Sequence, residues 1–225
     1  GAGVAVGDVN GDDLADIYLC NIQGGNALYL NQGKFRFRPA TQTGGIANED
    51  KMSTGSVLAD VDNDGDKDLL VNGIQSGTRL FLNDGRGGFQ LSEISGLDSA
   101  GTTSSLALAD IDGDGDLDLY VAHYIDRMHL ADPTTRFEYS KRGDQWVVTR
   151  INGESTLKPK WKGRFTVSDT GRVRELPEAD RLYLNNADGT FRDVSAEPMF
   201  IVNGKSRALA SFREWGLAVT FRDVN

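Results

Sequence analysis

Three acidic windows recur along this chain in one register. They read Asp8-Val-Asn10-Gly-Asp12-Asp13-Leu14-Ala-Asp16, Asp60-Val-Asp62-Asn-Asp64-Gly65-Asp66-Lys-Asp68 and Asp110-Ile-Asp112-Gly-Asp114-Gly115-Asp116-Leu-Asp118. The first two intervals are 52 and 50 residues, and a further copy opens at Asp223-Val224-Asn225 after an interval of 113. A fixed period of this length is the mark of a repeat architecture and constrains the fold more than any single motif. The acidity is confined to the windows, which hold 14 of the chain's 33 acidic residues. The remaining 19 acids face 24 bases, so the rest of the chain is net positive although the whole is −9.

The flanks repeat as well. Short apolar stretches precede each window (Val4-Ala5-Val6, Ser56 to Ala59, Leu106 to Ala109, Leu217 to Val219), and others follow it (Ile17 to Leu19, Leu69 to Val71, Leu119 to Val121). Next comes a hairpin pattern: Leu28-Tyr29-Leu30-Asn31 to Phe35, Leu80-Phe81-Leu82-Asn83 to Phe89, and Leu182-Tyr183-Leu184-Asn185 to Phe191. These runs are too short for helices, rich in β-branched and aromatic residues, and bounded by Gly, Asn and Asp, so they predict strands. The first two strands of each unit are apolar on both faces, as strands held between neighbouring sheets must be. Four short strands about every 50 residues is the arithmetic of a β-propeller, whose blades are four-stranded sheets. The expected fold is therefore all-β: three complete blades (residues 1–52, 53–102 and 103–212) and the first strand of a fourth (213–225), part of a larger propeller.

The third unit is long. Between Asp110 and Asn185 lie 52 residues more than in the equivalent intervals, which places a β-rich insertion at about 125–178, between the second and third strands of that blade. From Lys141 to Arg174 it holds nine bases and three acids, with Trp146 and Trp161 in the same stretch. Trp146, Lys158, Lys160, Trp161, Lys162 and Arg164 are the candidate partner contacts. They form either a docking surface for a protein or an anionic glycan, or a solvated hairpin whose Lys and Arg stems pack along the Trp rings. Arg142-Gly143-Asp144 reads most simply as a turn between strands. The two histidines, His123 and His129, predict one strand residue and one surface residue, since zinc needs further ligands.

Each window suits a hard cation. Ca²⁺ takes roughly six to eight oxygens, and side chains at positions 1, 3, 5 and 9 with the carbonyl at position 7 can wrap one ion. The ligands would be Asp8, Asn10, Asp12, Asp16 and the Leu14 carbonyl; Asp60, Asp62, Asp64, Asp68 and the Asp66 carbonyl; and Asp110, Asp112, Asp114, Asp118 and the Asp116 carbonyl. Asp223 and Asn225 would begin a fourth set. Position 12, a bidentate Glu in an EF-hand, is Leu19, Val71 or Val121 here, so these loops close at position 9 instead. Four or five carboxylates this close repel one another without a counter-ion. The expectation is about three Ca²⁺, which would bring the net charge from −9 to −3. In window one Asn10 removes a charge and Asp13 replaces the turn glycine, a residue type that tolerates the left-handed conformation.

These loops resemble the FG-GAP/VCBS repeats of integrin-α-like propellers. A closer resemblance, carried by Gly113 to Tyr124 and Asp180 to Ser195, is to the propeller of secreted ASPIC/UnbV-domain (cartilage acidic protein-like) proteins. The resemblance implies a calcium-bound propeller outside the cytosol. The literal Phe-Gly and Gly-Ala-Pro words are missing, so integrin-type ligand binding is not carried over.

Composition excludes other classes. Hydrophobic residues at 39% and charged residues at 25% are globular values. No apolar run reaches the ~18–20 residues of a membrane helix. The single cysteine, Cys20, rules out a disulfide framework and a multi-cysteine metal site. No Gly-x-Ser-x-Gly or His-Glu-x-x-His motif occurs, and nothing points to nucleic acid. The expected function is a non-catalytic, calcium-binding, extracytoplasmic module (secreted, periplasmic or cell-surface) that binds or scaffolds through the insertion. Two alternatives stand beside it: part of a propeller enzyme acting on polysaccharide or phosphoester with its site in other blades, and an accessory subunit of a larger assembly.

Overall fold

The computed structural model describes residues 3–41, 44–124, 129–158, 161, 163–168, 170–202, 205–209 and 219–220. Asp223, Asn225, Lys160, Lys162 and most of the expected fourth-blade strand lie outside them.

Three antiparallel four-stranded sheets carry the chain. Blade one is β1 (Val4–Gly7), β2 (Asp16–Leu19), β3 (Ala27–Asn31) and β4 (Phe37–Pro39), paired in that order. Blade two repeats the order with β5 (Met52–Ala59), β6 (Asp68–Ile74), β7 (Thr78–Asn83) and β8 (Phe89–Leu91). Blade three begins with β9 (Thr102–Ala109) and β10 (Asp118–Tyr124). The chain then leaves the sheet. A single 3₁₀ turn at His129–Ala131 leads into β11 (Phe137–Arg142), β12 (Gln145–Ile151) and β13 (Glu154–Ser155), which form one sheet, and into a hairpin of β14 (Phe165–Val167) and β15 (Val173–Glu175). It returns as β16 (Arg181–Asn185), which pairs with β10, and β17 (Phe191–Asp193). A last hairpin, β18 (Phe200–Val202) and β19 (Lys205–Arg207), follows. Repeated four-stranded sheets of this order define a β-propeller fold.

The core lies between sheets. Tyr18, Leu28, Leu30, Leu69, Val71 and Phe81 pack between blades one and two, and Val61, Leu70, Leu80, Leu119, Val121 and Tyr183 between blades two and three. Every residue of β6 but Ile74 is buried, which explains the apolar run Leu69-Leu70-Val71 within it. β1 departs from that expectation. Ala5 is buried but Val4 and Val6 are 56% and 60% exposed, because only the face of blade one toward blade two is covered among the described residues. The linkers between blades press on the next outer strand. A Cβ on Gly44, whose φ is 57°, would fall 1.4 Å from the Phe89 carbonyl oxygen, and one on Gly96, φ 76°, would fall 2.3 Å from that of Phe191. Only glycine fits such approaches.

One strand assignment needs correction. Phe35, expected to open the fourth strand of blade one, sits at φ 61° in the turn and is 93% exposed. The equivalent of Phe89 and Phe191 is Phe37, since the register pairs Asn31 with Phe37, Asn83 with Phe89 and Asn185 with Phe191. All three spacings are six residues, a regularity the sequence already held.

Candidate metal centres

Each acidic window is the loop joining the first two strands of a blade. Positions 4 and 6 turn the chain through left-handed conformations: Gly11 and Asp13, Asn63 and Gly65, Gly113 and Gly115, with φ between 62° and 97°. Asp13 adopts at φ 63° the conformation that glycine takes in the other two loops.

Position 9 opens the second strand, and its side chain is wholly enclosed. Asp16, Asp68 and Asp118 are at most 1% exposed. One oxygen accepts the position-2 amide, from Val9 at 3.1 Å, Val61 at 3.0 Å and Ile111 at 2.8 Å. The other accepts the amide ending the third strand, from Asn31 at 2.7 Å, Asn83 at 2.9 Å and Asn185 at 3.0 Å. Each oxygen keeps a second lone pair.

Loops two and three bring carboxylates together. Asp60, Asp62 and Asp68 each offer an oxygen within 4.8 Å of the others, and so do Asp110, Asp112 and Asp118. In loop two the crowding has an electrostatic signature. Burial, with the Asp62 and Asp64 charges, pushes Asp68 up to about 6. Burial and the neighbouring Asp64 and Asp60 also raise Asp62. Asp112 is raised by desolvation and by Asp114 and Asp118. The decisive atom is Asp60 Oδ1, which is buried and has no hydrogen-bond partner. A carboxylate oxygen can only accept, so a cation placed among the three aspartates would satisfy it where no protein donor does.

Of the expected side-chain ligands, those at position 5 lie outside these groups. Asp64 and Asp114 at position 5 accept the amides of Asp66 and Asp116, both at 2.9 Å. At position 7, where main-chain oxygens are expected, the side chains turn outward: Asp66 abuts the turn at Gly85, and Asp116 accepts from Asn63 of the preceding loop at 2.6 Å.

Loop one is arranged differently. Asp8 accepts the amides of Asn10, Gly11, Asp12 and Asp13, which against the desolvation of burial hold its carboxyl below the usual range. Asn10 donates to Asp12 at 3.2 Å, and Asp12 accepts the Leu14 amide at 2.9 Å. Asp16 is raised by burial and by the Asp12 and Asp8 charges. With its own donors filling the loop, Asp8, Asp12 and Asp16 form no such three-carboxylate group among the described residues.

A set of residues missed as functional joins the loops. Asn83 Nδ2 donates to the Lys67 carbonyl of its own loop at 3.0 Å and to the Val9 carbonyl of the preceding loop at 2.9 Å. Asn185 does the same to Leu117 at 3.2 Å and Val61 at 2.9 Å. Asn31 donates to Ala15 at 2.9 Å. The signal was the Asn closing each Leu-x-Leu-Asn run, present three times in register.

In the insertion, two expected partner contacts turn out to be interior. Trp161 is buried beside Val148 and Ile151 and donates its indole N–H to Glu154 at 2.9 Å. Arg164 is buried between Glu175, at 3.4 Å, and Glu178, at 3.2 Å. The insertion needs its own core, and its largest ring supplies it. Lys158 is on the surface, paired with Glu154, and Trp146 is 42% exposed. Arg142-Gly143-Asp144 lies at the tip of the β11–β12 hairpin. His123 is buried in β10, and His129 is a packed residue rather than a surface one, edge-on to Trp161 and 2.9 Å from Glu175.

Carboxylate loops at the strand-one to strand-two turn of each four-stranded sheet mark the repeat class of propeller. The family model for the FG-GAP-like repeat matches residues 8–71 and 60–121, and the chain belongs to that family. Among curated proteins it is similar to cartilage acidic protein 1 of Mus musculus and of Homo sapiens, 32% identical to each over 82 residues. The match covers 36% of this chain and only 13% and 12% of those proteins. No helix among the described residues is long and apolar enough to cross a membrane.

Proposed function

We propose that this chain is a non-catalytic binding module of an extracytoplasmic protein, a propeller pinned by calcium that contacts its partner through the blade-three insertion. The observation that carries the calcium reading is the partnerless buried Asp60 Oδ1 inside a group of three carboxylates, with the same group repeated in loop three. Loops two and three are the principal sites and loop one is a weaker one. Bound there, the ion neutralises clustered charge and ties the loop to the start of the second strand. A cation held this way orders the fold rather than activating a substrate. Loops of this kind suit the calcium levels found outside cells. The FG-GAP-like family and the similarity to cartilage acidic protein 1 support a binding module. The insertion is the place for contact because binding segments sit on rigid scaffolds and this one is basic.

The test is a calorimetric calcium titration of the chelated protein beside its melting curve. A ligand that binds only the native state at ~100 times its Kd stabilises by ~2.7 kcal/mol, so chelation is expected to lower Tm by roughly 5–10 °C. Asp62→Ala removes one site from the titration and leaves the others. A melting curve indifferent to chelation would sink the calcium reading.

A further inference from the structure

The insertion has a groove of about 620 Å³ between β12 and the β14–β15 hairpin, with Trp146, Val147, Phe165 and Val167 among its lining residues. We propose that this groove takes an extended acidic peptide segment, which adds as a strand to the open edge of β12. The proposal rests on the reading of the insertion as the contact surface and names what it contacts.

The edge follows from register. Arg142 and Gln145 flank the two-residue turn, Lys141 faces Trp146, and Ser140 faces Val147. In a hairpin of this length the flanking pair is hydrogen-bonded and alternate pairs are not. Gln145 and Val147 therefore bond inward to β11, while the amide and carbonyl of Trp146 point away from it. Toward the other end that side of β12 is closed, since Arg150 and Ile151 pair with β13 and Thr156 donates to the Val148 and Thr149 carbonyls. What stays open is a short edge centred on Trp146, beside a floor of Val147, Phe165 and Val167.

Among the described residues no base lines the groove itself, and the bases that favour an acidic occupant stand around it. Lys141 lies 5.5 Å from the centre of the Trp146 ring. Arg142 is beside the tip of one hairpin, and Arg172 beside the tip of the other, its amide held by Ser168 of the groove lining. Arg174 stands opposite Thr166. None of these four bases is in an ion pair among the described residues, whereas Lys158 and Arg164 are. Among the described residues Asp144 is the one acid lining the groove. Main-chain bonds along an edge with alternate side chains in pockets describe strand addition, and an apolar floor suits peptide side chains better than sugar hydroxyls.

The test uses the full 225-residue chain, loaded with calcium, and a fluorescent peptide of about eight alternating Glu and Val residues. Binding is read by anisotropy and by amide exchange. The expected result is saturable binding with new protection at the Trp146 amide, since those of Gln145 and Val147 are already bonded to β11. Weakening of about ten-fold or more is expected from R142E/R172E, from Trp146→Ala, and from N-methylating alternate peptide amides. The two arginines are exposed at turns, so the double variant folds. Absence of binding, equal binding of the Lys-Val counterpart, or indifference to N-methylation would each overturn the proposal. A sulfated oligosaccharide that binds the insertion in place of the peptide would overturn strand addition while leaving the insertion as the contact surface. Protection confined to the blades would remove that reading as well.

Discussion

A single buried side chain shows how tightly these sheets are specified. His123 is enclosed in β10, its Nδ1 3.4 Å from the Val121 carbonyl. Burial and the Arg181 charge hold its pKa below the ordinary value, while the Val121 carbonyl, Asp180 and Asp98 act against them. A histidine that stays neutral in the fold but protonates in the unfolded chain favours unfolding as pH falls, so its contribution is present above about 6.5 and is lost below it. The expected outcome is that the stability difference between the native protein and His123→Gln shrinks as pH falls from 7 to 5, measured by urea unfolding with calcium present. Some of this scale was legible beforehand. The spacing singled out the ninth aspartates as candidate ligands, but not that both their oxygens already serve two amides. Trp161 and Arg164 looked like surface residues because a basic, aromatic run gives no hint of which side faces inward. Only the packing of Phe137, Phe165 and Ile151 around a separate small core decides that.

Strands and turns were more readable than single side chains, because apolar spacing and turn residues act locally. The error at Phe35 came from matching a residue type rather than the six-residue interval from asparagine. The asparagine itself carries the chief prediction at this scale. Asn83 and Asn185 each satisfy two carbonyls, one in their own loop and one in the loop before. Asn31 donates its side-chain N–H to the one loop carbonyl of Ala15. Stranding a buried acceptor costs about 1–3 kcal/mol. Asn83→Ala and Asn185→Ala are therefore expected to lower stability by roughly 2–4 kcal/mol, and Asn31→Ala by about 1 kcal/mol, in denaturant titrations. Equal losses at all three would show that the contact to the preceding loop contributes nothing.

Taken whole, the molecule joins a stack of sheets to a projecting β module through a buried charge relay. Glu175 meets His129 and Arg164, Arg164 meets Glu178, and Glu178 accepts the Thr102 amide at the start of blade three at 3.4 Å. Removing one partner of a buried pair strands the other at a cost of ~3–5 kcal/mol. Arg164→Met is expected to speed amide exchange across β11 to β15 while the amides of loops one and two keep their protection. Uniform acceleration would mean that insertion and blades unfold together. The existence of an insertion was plain from interval lengths, whereas this tether was hidden, since its members lie tens of residues apart in the chain. The asparagine joints, finally, have a direction. Asn83 and Asn185 each reach back to a carbonyl of the sheet already made, so a chain emerging from the ribosome meets these two docking points in the order it needs them. Through these two joints sheets can be added one by one, like slates overlapping up a roof.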